Sequence, residues 1–299
     1  MISNTNKSSN KSRMVFCIVA ALVLFMSHQL YRPAAGGMLQ QVLLDGSHIP
    51  VFGVIAVLVF FAMPARWANS RRIVIAGLAA LAIGATSEIV QLATPRHASI
   101  QDFKANVIGV VGSLLVTASF LGFGSLRLPG RVALAVGGIS LFAMGMLPLL
   151  TVSAAYVQRD RMFPMLFSPD ARFMDVFVTT QNATVGAVAR AAQSTAAWEV
   201  TLHDGPWPGL IFHDLRSDWT GYSKLVISLG TSETRPLDVH IRVNDRRHAL
   251  GEQPFRDRFN HSIRIAPGMH TFEFPLSTIA GAPAGREMDL NQIETIVIF

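Results

Sequence analysis

Only three acidic side chains occur in residues 1–150, and each lies at the end of an apolar segment. They are Asp45, Glu88 and Asp102. A charged side chain within a membrane segment is rare, because its removal from water costs several kcal/mol, and it usually faces the interior of a helix bundle. Since the three acids come from three segments at one depth, we expect them to share a polar pocket near the outer face of a membrane.

Other polar residues recur near these acids at helical spacing. His48, Gln91 and Asn106 follow the three acids by three, three and four residues, so each pair lies on one face of a helix. Arg96 and Ser99 lie in the short connector before the third acid. The candidate binding residues of the predicted pocket are therefore Asp45, Gln91, Arg96, Ser99 and Asn106.

Glu88, Asp102 and His48 are the candidate catalytic groups of this pocket. A carboxyl partly withdrawn from water can act as a general acid or base, and Arg96 can hold a phosphate or a carboxylate. A structural interpretation stays open, in which Glu88, Arg96 and Asp102 tie helix ends together and Asn106 bonds across helices. A divalent metal on His48 and the carboxylates is a further alternative. We nevertheless predict no metal and no other cofactor.

A second group of candidates lies in the last third of the sequence. Trp219 can stack on a sugar ring, and several charged and amide side chains near it in sequence can form a polar sugar-binding face. Two other interpretations stay open, because aromatic residues in strands are more often core and Arg–Asp pairs on a sheet surface are usually only solvated. The candidates are Trp219, Arg242, Asp245, Asp257, Arg258 and Asn260.

The composition restricts the class of protein that can carry these candidates. Hydrophobic residues make up 51% of the 299 residues and charged residues 15%, and the mean hydropathy is +0.39. A typical soluble domain carries about 25% charged residues, so a fully soluble protein is excluded. The single cysteine, Cys17, excludes a disulfide framework.

Five apolar stretches, each about as long as the ~17–25 residues that cross a bilayer, occupy the first half. They are residues 14–30, 48–64, 73–93, 105–123 and 132–152. We predict a cytoplasmic tail at 1–13, a transmembrane bundle at 14–152, a linker at 153–172 and a β-domain at 173–299. No small-x-small cleavage site closely follows the first stretch, so it is expected to remain as an anchor.

The basic residues predict the orientation of these spans. Eight of the 11 Lys and Arg in residues 1–150 precede the first span or lie in the second-to-third and fourth-to-fifth connectors, against three in the alternate connectors. Positive charge favours the cytoplasmic side, so we expect a protein of the cell (inner) membrane with a cytoplasmic N-terminus and an extracytoplasmic, periplasmic C-terminal domain. The second half is nearly neutral, which argues against a nucleic-acid partner.

Residues beyond 173 change to short alternating runs separated by turns. Residues 239–243 and 271–274 alternate apolar and polar side chains, which is typical of half-buried strands. Pro267-Gly268 and Asn244-Asp245 are turn signals. Many short strands at this spacing predict an all-β sandwich or jelly roll.

The polar pattern of the first half resembles the VanZ-like family, over residues 14–125. These are small multi-span membrane proteins first associated with resistance to the antibiotic teicoplanin. An earlier element of the family is matched by Asp45-x-x-His48, except that Gly46 replaces the usual Lys. The residues that carry the main resemblance are Glu88-x-x-Gln91, Pro95-Arg96, Ser99, Asp102, Asn106, Gly109 and Gly112.

The second half resembles a galactose-binding-like jelly roll, as found in carbohydrate-binding modules, over residues 165–299. The pieces that carry this resemblance include Trp207-Pro208-Gly209, residues 218–222, residues 241–245 and residues 257–260. The resemblance implies a glycan, a glycolipid or a peptidoglycan-related ligand, beside the bilayer itself. We therefore predict a cell-envelope binding protein, and as the alternative a membrane enzyme acting on a lipid-linked or surface glycan.

Overall fold

A computed structural model describes residues 2–30, 37–91, 99–121, 126–190 and 196–299. The chain divides into two compact units, Met1–Val152 and Ser153–Phe299. The first unit is helical and the second is rich in antiparallel strands. The predicted fold class, a helical bundle followed by a β-sandwich, is confirmed.

Five helices among the described residues are long and apolar enough to cross a membrane, which confirms the multi-pass prediction. All five helices are longer than their predicted spans. The first begins in the polar N-terminal segment, the second begins ten residues before 48, and the last continues ten residues beyond 152. The helices are α1 (Ile2–Leu30), α2 (Met38–Ala62), α3 (Asn69–Gln91), α4 (Ile100–Leu121) and α5 (Leu128–Met162).

The bundle has a small apolar core and an apolar outer surface. Phe52, Phe60, Ala80 and Val110 from α2, α3 and α4 are almost fully buried against one another. By contrast, large apolar side chains such as Phe120 are exposed. An apolar exterior of this extent suits contact with lipid rather than with water.

Glycines bring α2 and α4 into backbone contact. A Cβ on Gly109 of α4 would overlap the carbonyl oxygen of Ile49 in α2, and a Cβ on Gly53 would overlap the side chain of Ser113. Small residues permit such close helix packing in membranes, where van der Waals contact rather than the hydrophobic effect drives association. This contact fixes the height at which the polar residues of α2 and α4 meet.

The second unit contains a five-stranded antiparallel sheet in the order β1-β4-β9-β6-β7 and two antiparallel strand pairs, β2–β3 and β5–β8. Two short helices follow β6 and β8. The strands are β1 (Val178–Gln181), β2 (Ala183–Arg190), β3 (Ala196–Leu202), β4 (Gly209–His213), β5 (Lys224–Thr231), β6 (Leu237–Asp245), β7 (Phe259–Ile265), β8 (Gly268–Pro275) and β9 (Ile293–Ile298), with α6 (Arg246–Leu250) and α7 (Leu276–Ala280).

The alternation predicted at 239–243 decides which side chains of β6 reach the core. Val239, Ile241 and Val243 are buried in the sandwich. His240 and Arg242 point to the opposite face, because successive side chains of a strand alternate. Residues 155–167, part of the predicted linker, also contribute to this core through Ala155, Tyr156, Met162, Leu166 and Phe167.

We predict that Gly109→Ala destabilises the bundle, because the added methyl group overlaps the Ile49 carbonyl. Overpacking of this kind costs about 1–3 kcal/mol, so the heat-unfolding midpoint of the purified protein in detergent is expected to fall. The matched control is Gly137→Ala in α5, where a Cβ meets nothing within 4 Å. Equal midpoints for the two variants would contradict the proposed α2–α4 contact.

Candidate functional site

His48 of α2 lies at the centre of a buried polar cluster in the bundle. Its Nδ1 is 2.9 Å from Oδ1 of Asn106 in α4, and its Nε2 is 3.3 Å from Nε2 of His28 in α1. The Oδ2 atom of Asp102 lies 3.9 Å from His48 Nε2. Because a carbonyl oxygen only accepts, Nδ1 of His48 must carry a proton, which leaves Nε2 facing His28 and Asp102.

Neighbouring rings fix the orientation of the His48 imidazole. The Phe52 ring lies parallel to it with centroids 6.0 Å apart, and the His28 ring meets its edge at 4.5 Å. Phe52 follows His48 by four residues, so both lie on the same face of α2. His48 and Asn106 are fully buried, which places this hydrogen bond in a low-dielectric environment that strengthens it.

The end of α3 adds a second polar contact to the start of α4. Oε2 of Glu88 accepts a hydrogen bond from the backbone N–H of Ser99 at 3.1 Å, one of the N–H groups that a helix start leaves without a helical partner. Oε1 of Glu88 is buried with no hydrogen-bond partner among the described residues. Gln91 is buried one turn further on and donates to Ser87 at 3.4 Å.

The structure thus brings some of the predicted pocket residues together and places others apart. His48, Asp102 and Asn106 form one contact group, and Glu88 holds Ser99. Asp45 is exposed on α2, while Arg96 lies outside the described residues.

Sequence reasoning missed His28, which touches His48 from α1. A histidine near the end of an otherwise apolar span was the available signal. Ser47, whose hydroxyl lies 3.3 Å from Nδ1 of His28, was also missed.

A pocket between α1 and α2 reaches the edge of this cluster. A cavity of about 360 Å³ is lined by apolar side chains together with His28, Ser27, Gln40 and Ser47. His48 is fully buried and is not among the residues that line the cavity. The described residues contain no group of three His, Cys, Asp or Glu side chains suited to a metal ion. The contacts of the cluster join α1, α2 and α4.

In the sandwich, Arg286 binds two of the predicted residues in a closed ion-pair network. Its guanidinium contacts Asp245 at 2.5 Å and donates to Asp257 through Nε and through Nη2, the latter at 2.8 Å. Asp245 also accepts from the backbone N–H groups of His248 and Asp289, both at 2.9 Å. These contacts fix the loops that follow β6 and precede β7 to the segment before β9.

Burial and hydrogen bonds shift the pKa values of the residues in this network. Burial raises the pKa of Asp245, but the hydrogen bonds from Arg286, Asp289 and His248 outweigh it and lower that pKa. The hydrogen bond from Arg286 is the largest cause that lowers the pKa of Asp257. Burial is the largest cause that lowers the pKa of His248, so this histidine is neutral near pH 7.

Arg242, Asn244, Arg258 and Asn260 form what we call the β6–β7 face. Arg242 and Asn260 are opposite each other in the β6–β7 register. Nε of Arg242 donates to Oδ1 of Asn244 at 3.1 Å, and Nε of Arg258 donates to Oδ1 of Asn260 at 3.0 Å. Three of the predicted binding residues, Arg242, Arg258 and Asn260, thus lie on this face. Asp245 and Asp257 belong instead to the Arg286 network.

Trp219 does not present its ring to solvent. It is 4% exposed, it is among the residues that line a partly open pocket of about 1050 Å³, and its Nε1 donates to the carbonyl of Arg216 at 2.8 Å. The ring packs in the sandwich core, so stacking on a sugar outside the domain is not open to it. Trp207, by contrast, is 65% exposed, and the centre of its ring lies 5.3 Å from the centre of the Phe299 ring.

Comparison with known proteins adds little to this geometry. No family model matches the chain, and no curated protein matches it. The crystal structure of an agarase aligns with 44% of this chain and 22% of its own, at 13% identity and a TM-score of 0.33. That similarity is too low to carry an argument.

The fold itself defines the class. The protein is a multi-pass membrane protein, by the length and composition of its helices, and it carries a β-sandwich domain.

We predict that Asn106→Ala lowers the stability of the bundle. The variant leaves the Nδ1 proton of the buried His48 without its acceptor, which costs about 1–3 kcal/mol, and the heat-unfolding midpoint in detergent should fall accordingly. Lys104→Gln, at an exposed position of the same helix, is the control and should unfold like the parent. A midpoint unchanged by Asn106→Ala would show that the hydrogen bond does not hold α2 to α4.

We predict that the sandwich loses stability as the pH falls. The folded state holds His248 below its ordinary pKa of 6.5 and Asp245 and Asp257 below their ordinary 3.8. The unfolded chain therefore binds more protons, and stability is complete above about pH 7 and declines on acidification, first through His248 and then through the carboxylates. The measurement is the unfolding midpoint, followed by tryptophan fluorescence, against pH.

The matched variants for this titration are Asp257→Asn and Asp204→Asn. Asp257→Asn removes one shifted carboxyl and should flatten the acid side of the curve. Asp204 is exposed and lies outside the network, so Asp204→Asn should reproduce the parent curve. Parallel curves for all three proteins would rule out the network as the source of the acid sensitivity.

Proposed function

We propose that the protein is a cell-envelope membrane protein whose sandwich domain binds a glycan outside the cytoplasm. The distribution of basic residues supports a cytoplasmic N-terminus, with eight of 11 in the N-terminal segment and alternate connectors. Five spans then place the chain after α5 on the opposite side. The sandwich is the part of the protein that meets ligands of the envelope.

The β6–β7 face carries the binding proposal. Arg242 and Arg258 are half-buried on this face, and the structure gives neither an acidic partner among the residues it describes. Side chains with several fixed donors are suited to hydroxyl and anionic groups of sugars. The resemblance to a galactose-binding-like jelly roll points to the same ligand class.

The bundle takes a supporting role in this proposal, in line with its resemblance to the VanZ-like family. His28, His48, Asn106 and Asp102 join three helices, which favours a structural clasp at one level of the bundle. The cavity beside His28 and Ser47 is the part of the bundle that can take a lipid head group or the lipid end of a glycolipid.

A membrane enzyme acting on a lipid-linked or surface glycan is the second candidate function. One observation favours it, namely that Oε1 of Glu88 is buried without a hydrogen-bond partner among the described residues. A carboxyl oxygen in that position is available to accept a proton from a substrate. Asp102 and His48 would be the companion acid and base groups.

We predict that fluorescent oligosaccharides bind right-side-out membrane vesicles containing the full-length protein and not inside-out vesicles. The probes are oligosaccharides of cellulose, chitin, peptidoglycan and polygalacturonate, and vesicles without the protein are the control. Binding only to inside-out vesicles would overturn the orientation. Binding to neither preparation would overturn the glycan proposal.

A further inference from the structure

The two arginines of the β6–β7 face form no ion pair among the described residues, whereas other arginines of the second unit do. Arg286, Arg159 and Arg264 each pair with an aspartate. No described Asp or Glu lies within ion-pair distance of Arg242 or Arg258, and their Nη groups make no hydrogen bond to the part of the protein that the structure describes.

Asn260, which accepts from Nε of Arg258, is opposite Arg242 in the strand register, and both arginine side chains are partly withdrawn from water. Burial, followed by the positive charge of Arg258, lowers the pKa of Arg242, and burial lowers that of Arg258. Two like charges in a partly desolvated position repel each other, because water screens them less there. An anion between the Nη groups would remove this repulsion and satisfy their free donors.

The surroundings hold the two guanidinium groups in fixed positions. The Oδ1 atoms of Asn244 and Asn260 accept from the two Nε atoms, while Nδ2 of Asn260 donates to the Phe255 carbonyl at 3.0 Å. Each Nε is thus occupied and each pair of Nη groups is left for a ligand. Donors that are already positioned lose little entropy on binding, and a guanidinium matches an oxyanion with two parallel hydrogen bonds.

Two carboxylates of the neighbouring loops are bound elsewhere. Asp245 and Asp257 accept from Arg286 and His248, and neither forms an ion pair with Arg242 or Arg258. His248 is fully buried, and its Nε2 has no hydrogen-bond partner among the described residues. Burial is the largest cause that lowers the pKa of His248, and the hydrogen bond to Asp257 raises it. The positive charges of Arg242 and Arg258 lower this pKa further.

An aromatic ring lies beside one of the cations. The Arg258 guanidinium is 5.2 Å from the centre of the Phe255 ring, and Phe255 is 67% exposed. An exposed ring next to the Arg258 guanidinium offers an apolar surface for the C–H groups of a sugar beside donors for a charged substituent.

We infer that the β6–β7 face binds an anionic glycan, with Arg242 and Arg258 holding a carboxylate, sulfate or phosphate group of the sugar between them. This inference rests on the proposed glycan-binding function and names the ligand class of that surface.

The test measures binding of matched acidic and neutral glycans to the full-length protein in lipid nanodiscs. Polygalacturonate oligosaccharides are compared with their carboxyl-reduced form, and sulfated or phosphorylated oligosaccharides with their unsubstituted forms. We expect each acidic form that the site accepts to bind at least about tenfold more tightly than its neutral partner, with an affinity that falls as salt is added. The pair with the largest difference identifies the oxyanion.

Arg242→Gln and Arg258→Gln test the residues, and Arg264→Gln is the matched control. Arg264 is an exposed β7 residue that pairs with Asp238. Its replacement by Gln removes one positive charge, as each of the other two substitutions does. We expect each of the first two variants to weaken acidic-glycan binding at least about tenfold at an unchanged unfolding midpoint, and the control to retain binding.

Two results would overturn the inference separately from the proposed function. If acidic and neutral glycans bind equally, the glycan proposal stands and the anionic class is wrong. If acidic glycans bind preferentially but all three Arg→Gln variants weaken binding alike, long-range charge and not the β6–β7 face is responsible. If no glycan of either kind binds, the proposed function itself fails.

Discussion

A polar group removed from water costs free energy unless it is hydrogen-bonded, and this constraint shapes both units. In the bundle, Nδ1 of His48 meets it through the hydrogen bond to Oδ1 of Asn106. The bond forms only because Gly53 and Gly109 let the backbones of α2 and α4 touch. A larger residue at either glycine would separate the helices and leave two polar side chains without partners in a low-dielectric interior.

The same constraint is met in two different ways in the sandwich. Arg286 is surrounded by the carboxylates of Asp245 and Asp257, which closes a network and joins distant parts of the chain. Arg242 and Arg258 instead donate, through their Nε atoms, to the side-chain amide oxygens of two asparagines. The first arrangement is complete within the protein and serves the fold. The second has unused donors and is therefore the place where a ligand adds most.

The bundle and the sandwich also differ in how open their polar groups are. His48 and Asn106 are fully buried, so a ligand from outside meets His28 and Ser47 before it meets them. The β6–β7 face is only half-buried at its arginines. This difference favours the sandwich as the ligand-binding part and the polar cluster as the contact that keeps the helices in register.

The sequence by itself determined the fold class, because apolar segments of bilayer length and strands of alternating polarity are local patterns. It also identified His48, Asp102 and Asn106 as polar residues inside apolar spans, since such residues are rare for energetic reasons. It could not place His28 beside His48, because that contact depends on the packing of two helices joined by a connector. Nor could it separate Asp245 and Asp257 from Arg242 and Arg258. Only the tertiary structure brings Arg286 to those aspartates from 29 and 41 residues away, and that long-range contact decides which charged side chains form ion pairs and which do not.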